Sequence, residues 1–137
     1  NMKENLLEEQ QMNDVIHIGG QQARKVADLN DQLRKDMFTG NMLKKHNLKN
    51  KLVITPGITG YNLKDKEKIF ASVKYYGNFT KDNNPYGEKD FGSFNFKKQK
   101  FFWKIDYYDN DMKMHSPDKT DPDKTSRVLT IMKAEEY

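Results

Sequence analysis

The chain has 137 residues, the size of one domain, and its 24 Lys and Arg against 20 Asp and Glu give a net charge of +4. It contains no cysteine, which excludes disulfides, thiolate metal sites and cysteine nucleophiles. No apolar run approaches the roughly 20 residues that a membrane-spanning helix needs, and the N-terminus lacks the order of a signal peptide, so we expect a cytoplasmic protein without membrane contact.

The N-terminal segment, residues 1–21, is predicted to be an appendage to a single α+β domain over residues 22–137. Few of its apolar positions fall on one helical stripe, and Gly19 and Gly20 follow them. A short helix in this segment would therefore be an extra element that ends at the two glycines.

The following segments predict the first main helix and the first strand. From Gln22 to Phe38 the apolar residues follow helical spacing, and Asn30 and Arg34 lie on the same stripe. Residues 41–50 are basic and predict a loop. Leu52 to Thr55 then reads as a buried strand.

A second helix is predicted to begin after Asn62, whose side chain is suited to cap it, and to stop at Gly77. The expected buried stripe of this helix is Leu63, Ile69, Phe70, Val73 and Tyr76. Residues 78–92 are rich in Asn, Asp, Pro and Gly, which is typical of a long, specifically shaped loop.

The last third of the chain predicts a β-hairpin formed by Phe91 to Phe96 and Lys100 to Tyr108. Met112 to His115 is a candidate short strand, and Arg127 to Lys133 is either a closing strand, which its β-branched content favours, or a terminal helix. We therefore expect a small antiparallel sheet of four to five strands with two main helices packed on one face. Alternation places Phe101, Trp103, Ile105 and Tyr107 on the core face and Phe102, Lys104, Asp106 and Tyr108 on the other.

The segment from Asp82 to Gly92 has the most unusual composition of the chain. Asp82, Asn84 and Gly87 fall at positions one, three and six of a calcium-loop pattern, but the bidentate glutamate that position twelve requires is missing. The simpler interpretation is that Asp and Asn side chains hold the loop by bonding to its own backbone. We predict no metal site and no cofactor.

Three carboxylates, Glu88, Asp90 and Asp106, are the candidates for acid–base or metal-assisted chemistry. The three histidines are far apart in sequence, and neither a phosphate-binding glycine loop nor a serine-nucleophile turn is present. Because no catalytic constellation emerges, we predict no catalytic residue and favour a non-enzymatic protein. A small hydrolase or nucleotide-processing enzyme stays open as an alternative.

Aromatic rings and lysines interleave along the predicted hairpin, a pattern that suits either a protein partner or single-stranded nucleic acid. Arginine occurs only three times, at Arg24, Arg34 and Arg127, and scattered lysine is more typical of a solvated surface. A protein partner is therefore the first hypothesis, with nucleic-acid binding as a second alternative. The predicted binding residues are Asp82, Asn84, Tyr86, Glu88, Asp90, Phe102, Lys104, Asp106 and Tyr108.

From about Ala27 onward the chain resembles a bacterial family of short proteins catalogued only as a domain of unknown function. The strings that carry the resemblance are TPGI at 55–58, DNNPYGEKDFGSF at 82–94, FWKIDYYD at 102–109, SPD at 116–118 and RVLTIM at 127–132. The family is often found on plasmids and integrative elements, which implies an accessory role, such as the inhibition of a host defence system. It brings no established activity, and it has His where this chain has Lys89, a departure that weakens a metal or acid–base role for the loop.

Overall fold

The computed structural model describes the backbone of residues 2–44 and 47–137, and the side chains of residues 20–44 and 47–137. Three α-helices and four strands lie in these ranges, with a 3₁₀ turn after the first helix and another at the C-terminus. The helices are α1 (Met2–Met37), α2 (Pro56–Thr59) and α3 (Leu63–Lys74). The strands are β1 (Lys51–Ile54), β2 (Phe91–Phe96), β3 (Gln99–Tyr108) and β4 (Ser126–Lys133).

The four strands form one open sheet in the order β1-β4-β3-β2. β3 is antiparallel to both of its neighbours, whereas β1 is parallel to β4. The expectation of a small α+β fold is confirmed, but the expectation of a purely antiparallel sheet is wrong at β1. Parallel pairing needs a long crossover connection. Here the segment between β1 and β4, which contains α2, α3, β2 and β3, supplies it.

Two local predictions are also wrong. Helix α1 runs without a break through Gly19 and Gly20, since a glycine inside a helix costs only about 1 kcal/mol and does not by itself end it. Residues Met112 to His115 form no strand: the segment makes one bridge, between Tyr108 and His115, and Met112 adopts a left-handed φ of 60° that bends the chain away from a ladder. By contrast, the closing strand is confirmed as β4.

Helix α3 begins at the predicted cap, because the Asn62 side chain accepts a hydrogen bond of 2.8 Å from the Asp65 backbone N–H. The inward-facing residues are then Asp65, Ile69 and Val73, whereas Leu63, which we expected on the buried stripe, is 73% exposed. Asp65 is neutralised in this position by Lys97, whose Nζ lies 2.7 Å from its carboxylate.

The core lies between the sheet and the two longer helices, and the predicted alternation along β3 is confirmed. Trp103, Phe101 and Ile105 are buried on the helix side of the sheet. Gly92 faces Trp103 across the β2–β3 ladder, and a Cβ atom at this glycine would lie only 2.3 Å from the indole Nε1. No described helix is both long and apolar enough to span a membrane.

Candidate functional site: a cleft at the loop end of the sheet

A cleft of about 920 Å³ opens where β3 ends, between helix α1 and two long loops. The first loop joins α3 to β2 and the second joins β3 to β4. The side chains that matter for its chemistry are Tyr86, Glu88, Tyr107, His115 and Lys119. A concave site of this size falls in the range of ligand-binding pockets.

The first loop is shaped by its own amide side chains, as the sequence suggested. Asn84 Oδ1 accepts a hydrogen bond of 2.9 Å from the Lys89 backbone N–H, and Asn83 Oδ1 accepts one of 2.8 Å from Thr80. Gly87 adopts a left-handed φ of 72°, which glycine takes without a steric penalty. The result is a turn that leaves the Tyr86 side chain 80% exposed at the rim of the cleft.

A buried pair, Asn30 of α1 and Arg127 of β4, ties the two loops together. Asn30 Nδ2 donates to the backbone carbonyl of Glu88 at 3.0 Å, and Arg127 donates through Nη2 to the backbone carbonyl of Lys119. The two side chains also bond each other, since Arg127 Nε donates to Asn30 Oδ1 at 3.0 Å. One hydrogen-bonded unit therefore fixes the main chain of both loops at the residues that face the cleft.

Glu88 and Lys119, the residues whose carbonyls are held in this way, form an ion pair with each other. Lys119 Nζ lies 2.6 Å from one Glu88 carboxylate oxygen and 2.9 Å from the other. The same ammonium group lies 5.2 Å from the centroid of the Tyr107 ring, and the Arg127 guanidinium lies 5.3 Å from it. Cations near a ring face are stabilised by its quadrupole, so Tyr107 helps to hold both positive charges.

Beneath this pair, Tyr107 and Asp90 form a second polar contact. The Tyr107 hydroxyl donates to Asp90 Oδ2 at 3.0 Å and accepts from Asn30 Nδ2 at 2.8 Å. Burial raises the pKa of the Asp90 carboxyl and that of the Tyr107 hydroxyl, and it lowers the pKa of the Arg127 guanidinium. Perturbed groups gathered under a cleft are typical of functional sites.

The polar layer continues along α1 to Arg34, which is also buried. Its Nη1 donates to the backbone carbonyls of Val73 and Tyr76, at 3.0 and 3.2 Å, and it also pairs with Asp31. The guanidinium lies 4.8 Å from the centroid of the Trp103 ring. Arg34 thus joins α1 to the end of α3 and lies outside the lining of the cleft.

The structure divides the predicted binding residues into two groups on opposite sides of the sheet. Tyr86 and Glu88 line the cleft, Asp90 lies beneath it, and Asp82 and Asn84 belong to the same loop. The other four, Phe102, Lys104, Asp106 and Tyr108, point to the outer face of β3.

On that outer face the contacts are local. Lys104 pairs with Asp106 at 3.0 Å, and this hydrogen-bonded contact raises the pKa of the lysine. Phe102 packs against Phe91 and Tyr137. The nine residues therefore do not form one surface.

This division also separates the three candidate carboxylates, because Asp106 faces away from Glu88 and Asp90. Among the residues that the structure describes, no group of three or more His, Asp or Glu is placed to hold a metal ion.

Sequence reasoning missed four residues of the site: Asn30, His115, Lys119 and Arg127. A signal for two of them was available. Asn30 stood on an apolar helical stripe, and Arg127 was one of only three arginines in a lysine-rich chain.

A family model with the description "Protein of unknown function (DUF3768)" matches residues 54–136, which is more than half of the chain. The match includes both loops and β2 to β4, but helix α1 with Asn30 lies outside it. No curated protein and no solved structure shows a significant match.

Proposed function

We propose that this chain, which belongs to the family described as "Protein of unknown function (DUF3768)", is a binding module that receives a segment of a partner protein in the cleft. The observation that carries the proposal is the buried Asn30–Arg127 pair, which holds the backbone of both cleft loops at Glu88 and Lys119. A site that is ordered before binding loses less conformational entropy when its partner arrives, so it binds more tightly for the same contacts.

The rim and the floor of the cleft suit a protein segment. Tyr86 offers a large exposed ring at the rim, and tyrosine is among the residues that most often carry the energy of protein–protein contacts. Deeper in the cleft, the Glu88–Lys119 pair offers one charge of each sign. A partner that places an apolar side chain against Tyr86 and a charged group against this pair would match both features.

The resemblance to a family found on plasmids and integrative elements supports an accessory role for such a module. Inhibition of a host defence protein is the form of that role that we propose. In this proposal the partner is a host protein and the chain acts by occupying its surface.

The test is affinity capture from the native host with a photo-crosslinker beside the cleft, comparing the wild type with Tyr86→Ala and Glu88→Gln. We expect either substitution to weaken capture of the specific partner at least about tenfold, the effect of losing one binding hot spot. Tyr75→Ala is the matched control, because Tyr75 is a similarly exposed tyrosine, at the end of α3. Equal capture by the wild type and both cleft variants would contradict the proposal.

A further inference from the structure

The turn between β2 and β3 is made of two lysines in an unfavourable backbone conformation. Lys97 and Lys98 have φ values of 49° and 64°, so both lie in the left-handed region. A two-residue hairpin turn of this kind favours Asn followed by Gly, because other side chains clash with the backbone there. The chain therefore keeps two positive charges at positions where neutral residues would fold more easily, and such strain is characteristic of functional sites.

Further cations and rings surround this turn. Lys133 Nζ lies 5.3 Å from the centroid of the Tyr61 ring, and the Tyr61 and Phe96 rings are 6.1 Å apart. Lys97 Nζ lies 5.7 Å from the Phe96 ring while it pairs with Asp65. We call this surface the hairpin patch, and it consists of Lys97, Lys98, Lys133, Tyr61 and Phe96. Lys100 points to the other face of β3, where its Nζ lies 5.3 Å from the centroid of the Phe102 ring.

The hairpin patch keeps an excess of positive charge after its internal contacts are counted. Asp65 offsets the charge of Lys97, and Glu136, whose pKa is lowered by a hydrogen bond from Thr55 and also by the nearby charge of Lys133, offsets that of Lys133. Lys98 is exposed and makes no hydrogen bond or ion pair with the residues that the structure describes. The patch thus presents exposed ammonium groups beside partly exposed rings.

The loop at the other end of the sheet has an excess of acids. This loop, between β3 and β4, carries Asp109, Asp111, Asp118, Asp121 and Asp123 against Lys113, Lys119 and Lys124. β3 has ten residues, so it separates that loop from the hairpin patch by roughly 30 Å.

We propose that the hairpin patch binds nucleic acid through its phosphate groups, with Tyr61 and Phe96 as an accessory surface for bases. Repeated phosphates match a row of flexible ammonium groups, and rings between cations are the pattern that holds single strands. Contacts to phosphates carry no sequence information, so we expect the binding to be independent of base sequence. This site is separate from the cleft and does not depend on the function proposed for it.

The experiment measures fluorescence anisotropy of a labelled 20-nucleotide single strand, and of the corresponding duplex, at salt concentrations from 50 to 200 mM. The test variant is Lys97→Asn with Lys98→Gly, which restores the preferred turn and removes both charges. We expect its affinity for the single strand to fall at least about tenfold at the lowest salt. The slope of log affinity against log salt concentration should become less steep by about 1.4, which is the change expected when two phosphate contacts are lost. A wild-type circular dichroism spectrum and cooperative thermal unfolding would show that the variant folds, because the preferred turn compensates for the lost Lys97–Asp65 pair.

The control variant, Lys81→Asn with Lys113→Asn, removes the same charge from exposed loop positions at the opposite end of the sheet. It should bind the single strand within about twofold of the wild type. Three results would overturn the proposal. The first is an equal loss of affinity in both double variants, and the second is no binding to either oligonucleotide. The third is that polyglutamate displaces the labelled strand as effectively as unlabelled oligonucleotide does when the two are compared at equal concentrations of charge. Because none of these substitutions touches the cleft, failure here would leave the partner-binding proposal standing.

Discussion

The inner face of β3 joins two regions that are held together in different ways. Near the hairpin, Phe101 stacks on Phe94 with ring centroids 5.4 Å apart, and Trp103 meets Tyr76 edge to face at 5.4 Å. Six residues after Phe101 on the same face, Tyr107 lies in a network of hydrogen bonds. One strand therefore passes from an apolar core to a polar one within about 20 Å.

The two kinds of core constrain the molecule differently. Ring packing is weakly directional and scales with the area removed from water, so it mainly sets how stable the fold is. Each hydrogen bond of Asn30 and Arg127 instead fixes one named atom, and two of these atoms are loop carbonyls. We therefore expect substitutions of core residues near the hairpin to change stability alone, and substitutions near the cleft to change both stability and partner binding.

The largest effect is expected from Trp103→Ala, which removes the largest fully buried side chain. The cavity left beneath α3 should lower the free energy of unfolding by about 3–5 kcal/mol. Urea denaturation followed by circular dichroism measures this loss. Tyr75→Ala, on the surface, should change it by less than about 0.5 kcal/mol, and comparable losses in both variants would contradict the assignment of Trp103 to the core.

The next effect is expected from Asn30→Ala, which removes the centre of the polar network. Arg127 would lose its acceptor at Nε, and the Glu88 carbonyl and Tyr107 hydroxyl would lose a donor. The unpaired buried groups should cost about 2–3 kcal/mol. Capture of the partner should weaken because the loop that carries Glu88 loses its bond to α1 and Arg127 loses the acceptor that orients it. If this variant were destabilised but bound its partner as the wild type does, the loops would not depend on the network for their order.

The same contrast explains what could be predicted from sequence. Trp103 was placed in the core because strand alternation is a local pattern, and Asn62 was identified as a cap because its acceptor role concerns only the next three residues. Both predictions needed no knowledge of the rest of the chain.

The cleft could not be predicted in this way, because its central bond joins Asn30 and Arg127 across 97 residues. The pairing of β4 with β1 and β3, together with the course of α1, brings these distant segments together. The sequence did contain a clue in its arginines. Two of the three arginines, Arg34 and Arg127, are buried, and the planar, weakly hydrated guanidinium suits a buried position better than a lysine ammonium group does.

The smallest effect is expected from Asp90, and it tests how closed the polar end of the core is through the dependence of stability on pH. Burial raises the pKa of this carboxyl in the folded state above its unfolded value, so the folded protein binds the proton more tightly than the unfolded chain does. Stability contributed by Asp90 is therefore lost as the pH rises from about 4 through the raised pKa.

Asp90→Asn removes this titration and keeps an oxygen for the Tyr107 hydroxyl. The free energy of unfolding of the variant should match that of the wild type near pH 3.5 and exceed it at pH 7. Parallel urea titrations across this range measure the difference, with Asp82→Asn as the control for charge at an exposed position of the same loop. A difference that stays constant with pH would mean that the carboxyl beneath the cleft is solvated, and the polar end of the core would then be less closed than its contacts indicate.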